Sequence, residues 1–200
     1  MGFTSSSVSL ICAHRTRSAS DQLKLIDVKE SGKQTTLCLA AAHALVRLDD
    51  GIIVGDPMEK TTLEALEWQI SRGLYLLSFA SDKPSFDIGD SVAPSSNKAP
   101  VASKLYIRRR FQFSSALKRM STVSTLPNGK TLVAVKGAPE TIKTMLAKVP
   151  EWYDATYKWY SRRGSRVLAL GTKEVEPMSI DKVLTCLFQM FSILMHILLD

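Results

Sequence analysis

Three short segments constrain this chain more than its totals do. They are Gly55-Asp56-Pro57-Met58-Glu59-Lys60, Phe113-Ser114-Ser115-Ala116-Leu117-Lys118-Arg119-Met120 and Lys136-Gly137-Ala138-Pro139-Glu140. Two of them mark where helices begin. Asp56 reads as a helix N-cap, Pro57 suits the first helical position, and Glu59 stands where it can close a capping box, so the spacing predicts a helix to about Ile70. Pro139 opens a second helix to about Lys148, with Glu140 favourable to its dipole. The remaining segment ends a strand: Leu105, Ile107, Phe111 and Phe113 share one parity, so 104–113 reads as a strand with a single apolar face.

The surrounding pattern completes a mixed fold. Leu23 to Val28 reads as a strand and Thr36 to Leu45 as a helix. Arg47 to Val54 folds back through Asp49-Asp50-Gly51, because Asp-Gly tolerates the positive φ of a tight hairpin. Met120 to Leu126 and Thr131 to Val135 flank Pro127-Asn128-Gly129, a second hairpin signal. Pro150 opens a helix carrying Trp152, Tyr153, Tyr157, Trp159 and Tyr160, and Arg166 to Leu170 is a further strand. Strands and helices in this mixed order predict an α+β fold, an antiparallel sheet flanked by helices.

Two hundred residues suit one domain, and the 45 % hydrophobic share can supply its core. Residues 1–22 read as a disordered or non-native N-terminus. The first twenty, rich in Ser with Arg15 and Arg17 and no acid, also have the composition of a mitochondrial presequence, but they lack a sustained amphipathic period. The domain is placed at 23–182, with 71–103 a surface loop or insertion on its Ser, Pro, Asp and Gly content. Residues 183–200 form an apolar divergent tail. Val183 to Leu199 carries no formal charge and is at the lower limit of a membrane span, so it reads either as a gene-model artefact or as an anchor.

Charge is distributed unevenly. The net charge is +7, yet residues 91–139 hold no acid and nine bases: Lys98, Lys104, Arg108, Arg109, Arg110, Lys118, Arg119, Lys130 and Lys136. Such a one-sided field attracts polyanions, either nucleotide phosphates or nucleic acid. Cys12, Cys38 and Cys186 are far apart and form no CxxC pair, which suggests buried thiols in a reducing compartment rather than a metal site. His43, within Ala40-Ala41-Ala42-His43-Ala44-Leu45, reads as a packed helix residue. Gly129-Lys130-Thr131 is similar to the end of a phosphate-binding loop, but Ser124 stands where its first glycine belongs and a hairpin replaces the helix.

In their order and spacing, the three opening segments resemble the nucleotide-binding domain of the P-type ATPases, most closely the type-five A subgroup of the endoplasmic reticulum. The resemblance covers about residues 36–182. It implies that Phe113 stacks on adenine, a contact between π-faces worth about 0.5–1.5 kcal/mol beyond area burial. It places Lys118 near the phosphates as a compact point charge and Lys136 at the floor of the adenosine pocket. Gly137 then lets the ligand approach the backbone, Glu59 accepts from the adenine amino group, and the fork of Arg166 reaches phosphate oxygens. The role of Arg119 stays open. On the residues alone, each has a plainer reading: core for Phe113, solvated face for Lys118, capping for Glu59, strand edge for Arg166.

The implied ligand is ATP with its magnesium, and the implied partners are the phosphorylation and actuator domains of a parent pump, at the cytosolic face of the endoplasmic reticulum membrane; the fragment alone could be cytosolic. Membrane attachment would come through the parent or the apolar tail. No Asp-Lys-Thr-Gly-Thr motif occurs; the nearest stretch, Asp82-Lys83-Pro84, has proline where the family's motif continues with Thr-Gly-Thr. The expectation is therefore an ATP-binding fragment without catalytic residues or metal ligands of its own. Two alternatives are a basic α+β module that binds nucleic acid through its acid-free tract, with Tyr106, Phe111 and Phe113 interleaved, and a non-functional truncated product.

Overall fold

The computed structural model describes residues 11–14, 24–76, 86–95, 104–177 and 192–195. Strands β1 (Ile11–His14) and β2 (Lys24–Asp27) pair antiparallel as a separate ribbon. Strand β1 falls within residues 1–22, of which only Ile11–His14 is described. A single 3-10 turn, Val28–Glu30, leads to helix α1 (Lys33–Ala41), followed by the two-residue strands β3 (Val46–Arg47) and β4 (Ile53–Val54), the hairpin expected around Gly51. Helix α2 (Pro57–Ala65) comes next.

The body of the fold is one seven-stranded antiparallel sheet. Its members are β5 (Trp68–Leu76), β6 (Phe86–Pro94), β7 (Leu105–Ser114), β8 (Arg119–Thr125), β9 (Thr131–Gly137), β10 (Ala169–Val175) and β11 (Ser192–Met195), lying side by side in chain order. Helices α3 (Pro139–Lys143) and α4 (Tyr153–Ser161) occupy the connection from β9 to β10. The antiparallel sheet with flanking helices is the expected α+β class.

Alternation along β9 divides the core in two. Leu132 and Ala134 belong to one buried cluster with α1 residues Leu37 to Ala41 and Leu63 of α2. Val133 and Val135 belong to a second cluster with Ile142 of α3 and Tyr153 of α4. Strand side chains point alternately to opposite faces, so the sheet is sandwiched between α1/α2 on one face and α3/α4 on the other. The Tyr153 hydroxyl donates to the Pro139 carbonyl at 2.8 Å and ties α4 to the start of α3.

Several boundaries differ from expectation. Helix α2 ends at Ala65, not near Ile70, and Glu67 adopts φ +58°. From Leu66 the burial alternates: Leu66, Trp68 and Ile70 are buried while Glu67 and Gln69 are exposed. Leu63, Leu66 and Ile70 also fit a helical period, but pairing with β6 decides for the strand. The stretch 71–103 read as a surface loop therefore supplies most of a nine-pair hairpin, Trp68↔Pro94 to Leu76↔Phe86. Helix α1 stops at Ala41, short of Leu45, and α3 stops at Lys143, short of Lys148. The strand predicted at Arg166 begins only at Ala169.

Strand β7 departs from a single apolar face. Its pairing with β8 runs Ile107↔Ser124 and then Arg109↔Val123, which leaves Arg108 as an extra residue, and a second shift falls between Phe111 and Ser114. Such a bulge reverses the parity beyond it. Leu105 and Ile107 accordingly pack in the α1/α2 cluster, whereas Phe111 packs in the α3/α4 cluster. Within the apolar tail, Ser192–Met195 pairs with β10; the rest of 183–200 lies outside the described residues. No helix among the described residues is long and apolar enough to cross a membrane.

Candidate functional site

Four strands meet at one end of the sheet. Ser114 closes β7, Arg119 opens β8, Gly137 closes β9 and Ala169 opens β10, and these four residues form one cross-strand row. The next row contains Met120, Lys136 and Leu170. Because Lys136 alternates with Val135, it faces α1 and α2 like Ala134.

Lys136 Nζ meets Glu59 Oε1 at 2.8 Å, with 13 % and 10 % of the two side chains exposed. Glu59 reaches this position from the first turn of α2. That turn is fixed by Asp56, whose Oδ1 accepts from the N–H of Met58 at 2.8 Å and of Glu59 at 3.2 Å. The capping box is thus half formed. Glu59 does not turn back to the Asp56 N–H; its second oxygen accepts from the Ala44 N–H at 2.8 Å. Each carboxylate oxygen retains a lone pair for a further donor.

The loop after α1 is held from both sides. The Arg110 Nε donates to the His43 carbonyl at 3.1 Å, and Arg110 Nη1 lies 2.6 Å from Asp90 Oδ2. The His43 Nδ1 accepts from the Leu45 N–H at 3.2 Å. His43 is packed, as expected, but in this loop rather than in the helix, and only 2 % of it is exposed. Burial first, then the cations of Arg110 and Lys136, push its pKa down to about 3, so the imidazole is neutral at physiological pH. Polar contacts joined by the His43–Ala44 peptide group therefore connect Asp90 through Arg110 and Glu59 to Lys136.

Phe113, the penultimate residue of β7, is 62 % exposed. It sits beside the closing row, two strands from Lys136, a separation of about 10 Å from ordinary strand spacing. The shifts in β7 explain why its parity does not take it into the core. Lys118 occupies the β7–β8 turn with φ +49°, an unusual conformation for a side-chain-bearing residue. Its Nζ is 3.6 Å from Glu140 Oε1, and both groups are more than half exposed. Arg166 lies exposed in the loop just before β10. Arg119 points its Nη1 at Met145 Sδ, 2.9 Å away, on α3's side of the sheet.

Gly137 has a local reason to be glycine. An added Cβ would stand 2.5 Å from the Lys118 carbonyl oxygen and 2.9 Å from the Arg119 Cα. That carbonyl also accepts from the Ala138 N–H at 3.0 Å. The Lys118 turn and the Lys136–Glu140 segment are thus packed backbone to backbone, whatever a ligand requires. Among the described residues no cluster of three His, Cys, Asp or Glu could hold a metal ion.

An exposed aromatic ring, two lysines of different burial and a carboxylate at one sheet end suit a flat, hydrogen-bonding base with an anionic tail. Comparison with known proteins gives the family. The chain is 47 % identical over 148 residues to the endoplasmic reticulum transmembrane helix translocase of Aspergillus fumigatus, covering 70 % of this chain and 10 % of that protein. It is 44 % identical over 159 residues to the protein of the same description from Saccharomyces cerevisiae, covering 80 % and 11 %. The chain belongs to the P-type ATPase family.

A more distant P-type relative, the probable manganese-transporting ATPase of Arabidopsis thaliana, is 36 % identical over 159 residues, covering 78 % of this chain and 12 % of its own. The chain spans about a tenth of the length of these relatives. No protein-family model matches it. The α+β arrangement of antiparallel sheet and flanking helices is compatible with a P-type nucleotide-binding domain. Of the residues singled out by sequence, the structure gathers Glu59, Lys136 and Gly137 closely, sets Lys118 and Phe113 at the same sheet end, and leaves Arg166 on the adjoining loop. Sequence reasoning missed Asp90, Arg110 and the His43–Ala44 backbone. A main-chain carbonyl or N–H has no residue-type signature, and the contact between Arg110 and His43, 67 positions apart, leaves no mark in the sequence.

Proposed function

We propose that this chain binds ATP as the nucleotide-binding domain of a P-type ATPase resembling the helix translocases of the endoplasmic reticulum. The observation that supports it most is the Glu59–Lys136 pair, with Phe113 exposed two strands away. In this reading Phe113 stacks on adenine, the free lone pairs of Glu59 accept from the exocyclic amine, and Lys136 and Gly137 floor the pocket. Lys118 and Arg166 face the phosphates, whose magnesium arrives with the nucleotide. The binding chemistry is complete, but transfer of the γ-phosphoryl group needs an aspartate nucleophile and in-line positioning, and no Asp-Lys-Thr-Gly-Thr motif is present. The chain alone is therefore expected to bind without turnover. Its partners would be the phosphorylation and actuator domains of the parent pump, at the cytosolic face of the endoplasmic reticulum membrane.

The nucleic-acid reading loses support from the charge pairing. The acid-free tract is answered in space by acids from elsewhere: Arg110 by Asp90, Lys136 by Glu59, Lys118 by Glu140 and Lys130 by Glu176. Calorimetric titration of the 200-residue chain with ATP tests the proposal. Saturable binding that persists at high salt supports it; no heat at millimolar ATP, or steeply salt-dependent binding of single-stranded DNA instead, refutes it.

A further inference from the structure

Arg110 was not among the residues expected at the site, yet its bonds lead directly to one that was. The extra residue Arg108 in β7 decides which face Arg110 takes. Beyond that bulge, Arg110 pairs with Thr122, which in turn pairs with Ala134 of the α1/α2 cluster. Without the shift, Arg110 would share the face of Phe111's neighbours in the α3/α4 layer. On the α1/α2 face its planar fork serves two acceptors at once, Asp90 Oδ2 and the His43 carbonyl. Both ion-pair partners are largely buried, 15 % and 13 % exposed. Asp90 is itself fixed in β6 by pairing with Ile107.

The next link is Ala44, whose N–H holds Glu59 Oε2. Only a short loop separates α1 from β3, and His43 and Leu45 within it are fully buried. Fixing the His43 carbonyl fixes the neighbouring Ala44 N–H, because one rigid peptide plane joins them. Lys136 alone would hold Glu59 at one oxygen and leave the carboxylate free to rotate about that contact.

We propose that Arg110, braced by Asp90, is a positioning residue for base recognition: through the His43–Ala44 peptide it sets the orientation of the Glu59 carboxylate toward the nucleobase. This rests on the ATP-binding reading. Lysine cannot replace it, since a single ammonium cannot span two acceptors in the geometry of a guanidinium fork.

The test uses the full chain and three probes, ATP, GTP and inorganic tripolyphosphate, titrated against the unaltered protein, Arg110→Gln, Arg110→Lys and Asp90→Asn. Both Arg110 variants should lose about tenfold in ATP affinity, the scale of one charge-assisted hydrogen bond, and most of the preference for ATP over GTP, with tripolyphosphate unchanged. Asp90→Asn, which keeps the fork, should show a smaller loss in the same direction. A general loss across all three probes, or an unchanged ATP:GTP ratio in a folded variant, overturns the positioning role. If the unaltered chain binds no ATP, the nucleotide reading itself falls and this inference with it. If Arg110→Gln does not fold, Arg110→Lys and Asp90→Asn decide by the same ratio.

Discussion

Lys136 and Glu59 are 77 positions apart in the chain and 2.8 Å apart in the fold. The pair joins an interior strand to the first turn of α2 and is largely, though not fully, buried, with 13 % and 10 % of the side chains exposed. A largely buried ion pair is weak evidence of net stabilisation, but removing one partner strands the other.

Lys136→Ala should therefore lower stability by about 3 kcal/mol, because the Glu59 carboxylate keeps only the Ala44 N–H. Phe113→Ala should change stability by less than about 0.5 kcal/mol, since the ring is mostly in solvent, while weakening ATP binding about tenfold through lost stacking. Urea denaturation and calorimetry on both variants check this. A Phe113→Ala variant that unfolds would show that the ring belongs to the core after all.

Gly137→Ala should cost about 2 kcal/mol or more, as the new methyl meets the Lys118 carbonyl and the strands must separate. The comparison is Gly32→Ala, where nothing lies within 4 Å of the added atom but the residue is the N-cap of α1; there the change should cost about 1 kcal/mol or less, from the weaker cap alone. Equal effects at the two positions would contradict the close approach.

His43 makes stability depend on pH. Its folded pKa of about 3 lies below its ordinary 6.5, so the unfolded chain binds more protons in between and acid favours unfolding. This contribution is intact above pH 6.5 and is lost as pH falls toward 3, with a slope approaching about 1.4 kcal/mol per unit. Between about pH 6.5 and 5, above the carboxylate range, His43→Gln should flatten the urea midpoint profile. A profile identical to that of the unaltered chain would mean the imidazole does not titrate in this way.

Incubation of the purified chain with γ-labelled ATP and magnesium should leave no acid-stable label. Asp56 and Glu59 are engaged by the first turn of α2, Ala44 and Lys136, and none of the acids at the site precedes the Thr-Gly-Thr that marks the family's phosphorylated aspartate. A hydroxylamine-sensitive label would demonstrate a nucleophile within these residues.

Sequence disclosed features that rest on local chemistry. The Asp56-Pro57 helix start, the Asn128-Gly129 hairpin with Gly129 at φ +80°, and Pro139 at the head of α3 all formed as expected. What stayed hidden depends on partners distant in sequence. The Leu63, Leu66, Ile70 spacing satisfies two periodicities, and only β6 selects between them. The polar composition of 71–103 conceals an edge hairpin for the same reason. At the site, the motif lysines and Glu59 were visible, but Arg110 was one base among nine until the fold placed an aspartate and a carbonyl against it.

The extra residue at Arg108 acts as a phase shifter within one strand. Upstream of it, odd-numbered side chains of β7 serve the α1/α2 layer; just downstream, even-numbered ones do. The length of this short stretch is consequently constrained in one direction: with the bulge kept, one residue more between Ile107 and Arg110 would exchange the two faces, turn Arg110 toward the α3/α4 layer and leave Asp90 without its partner, whereas deleting Arg108 would close the bulge and keep Arg110 opposite Thr122.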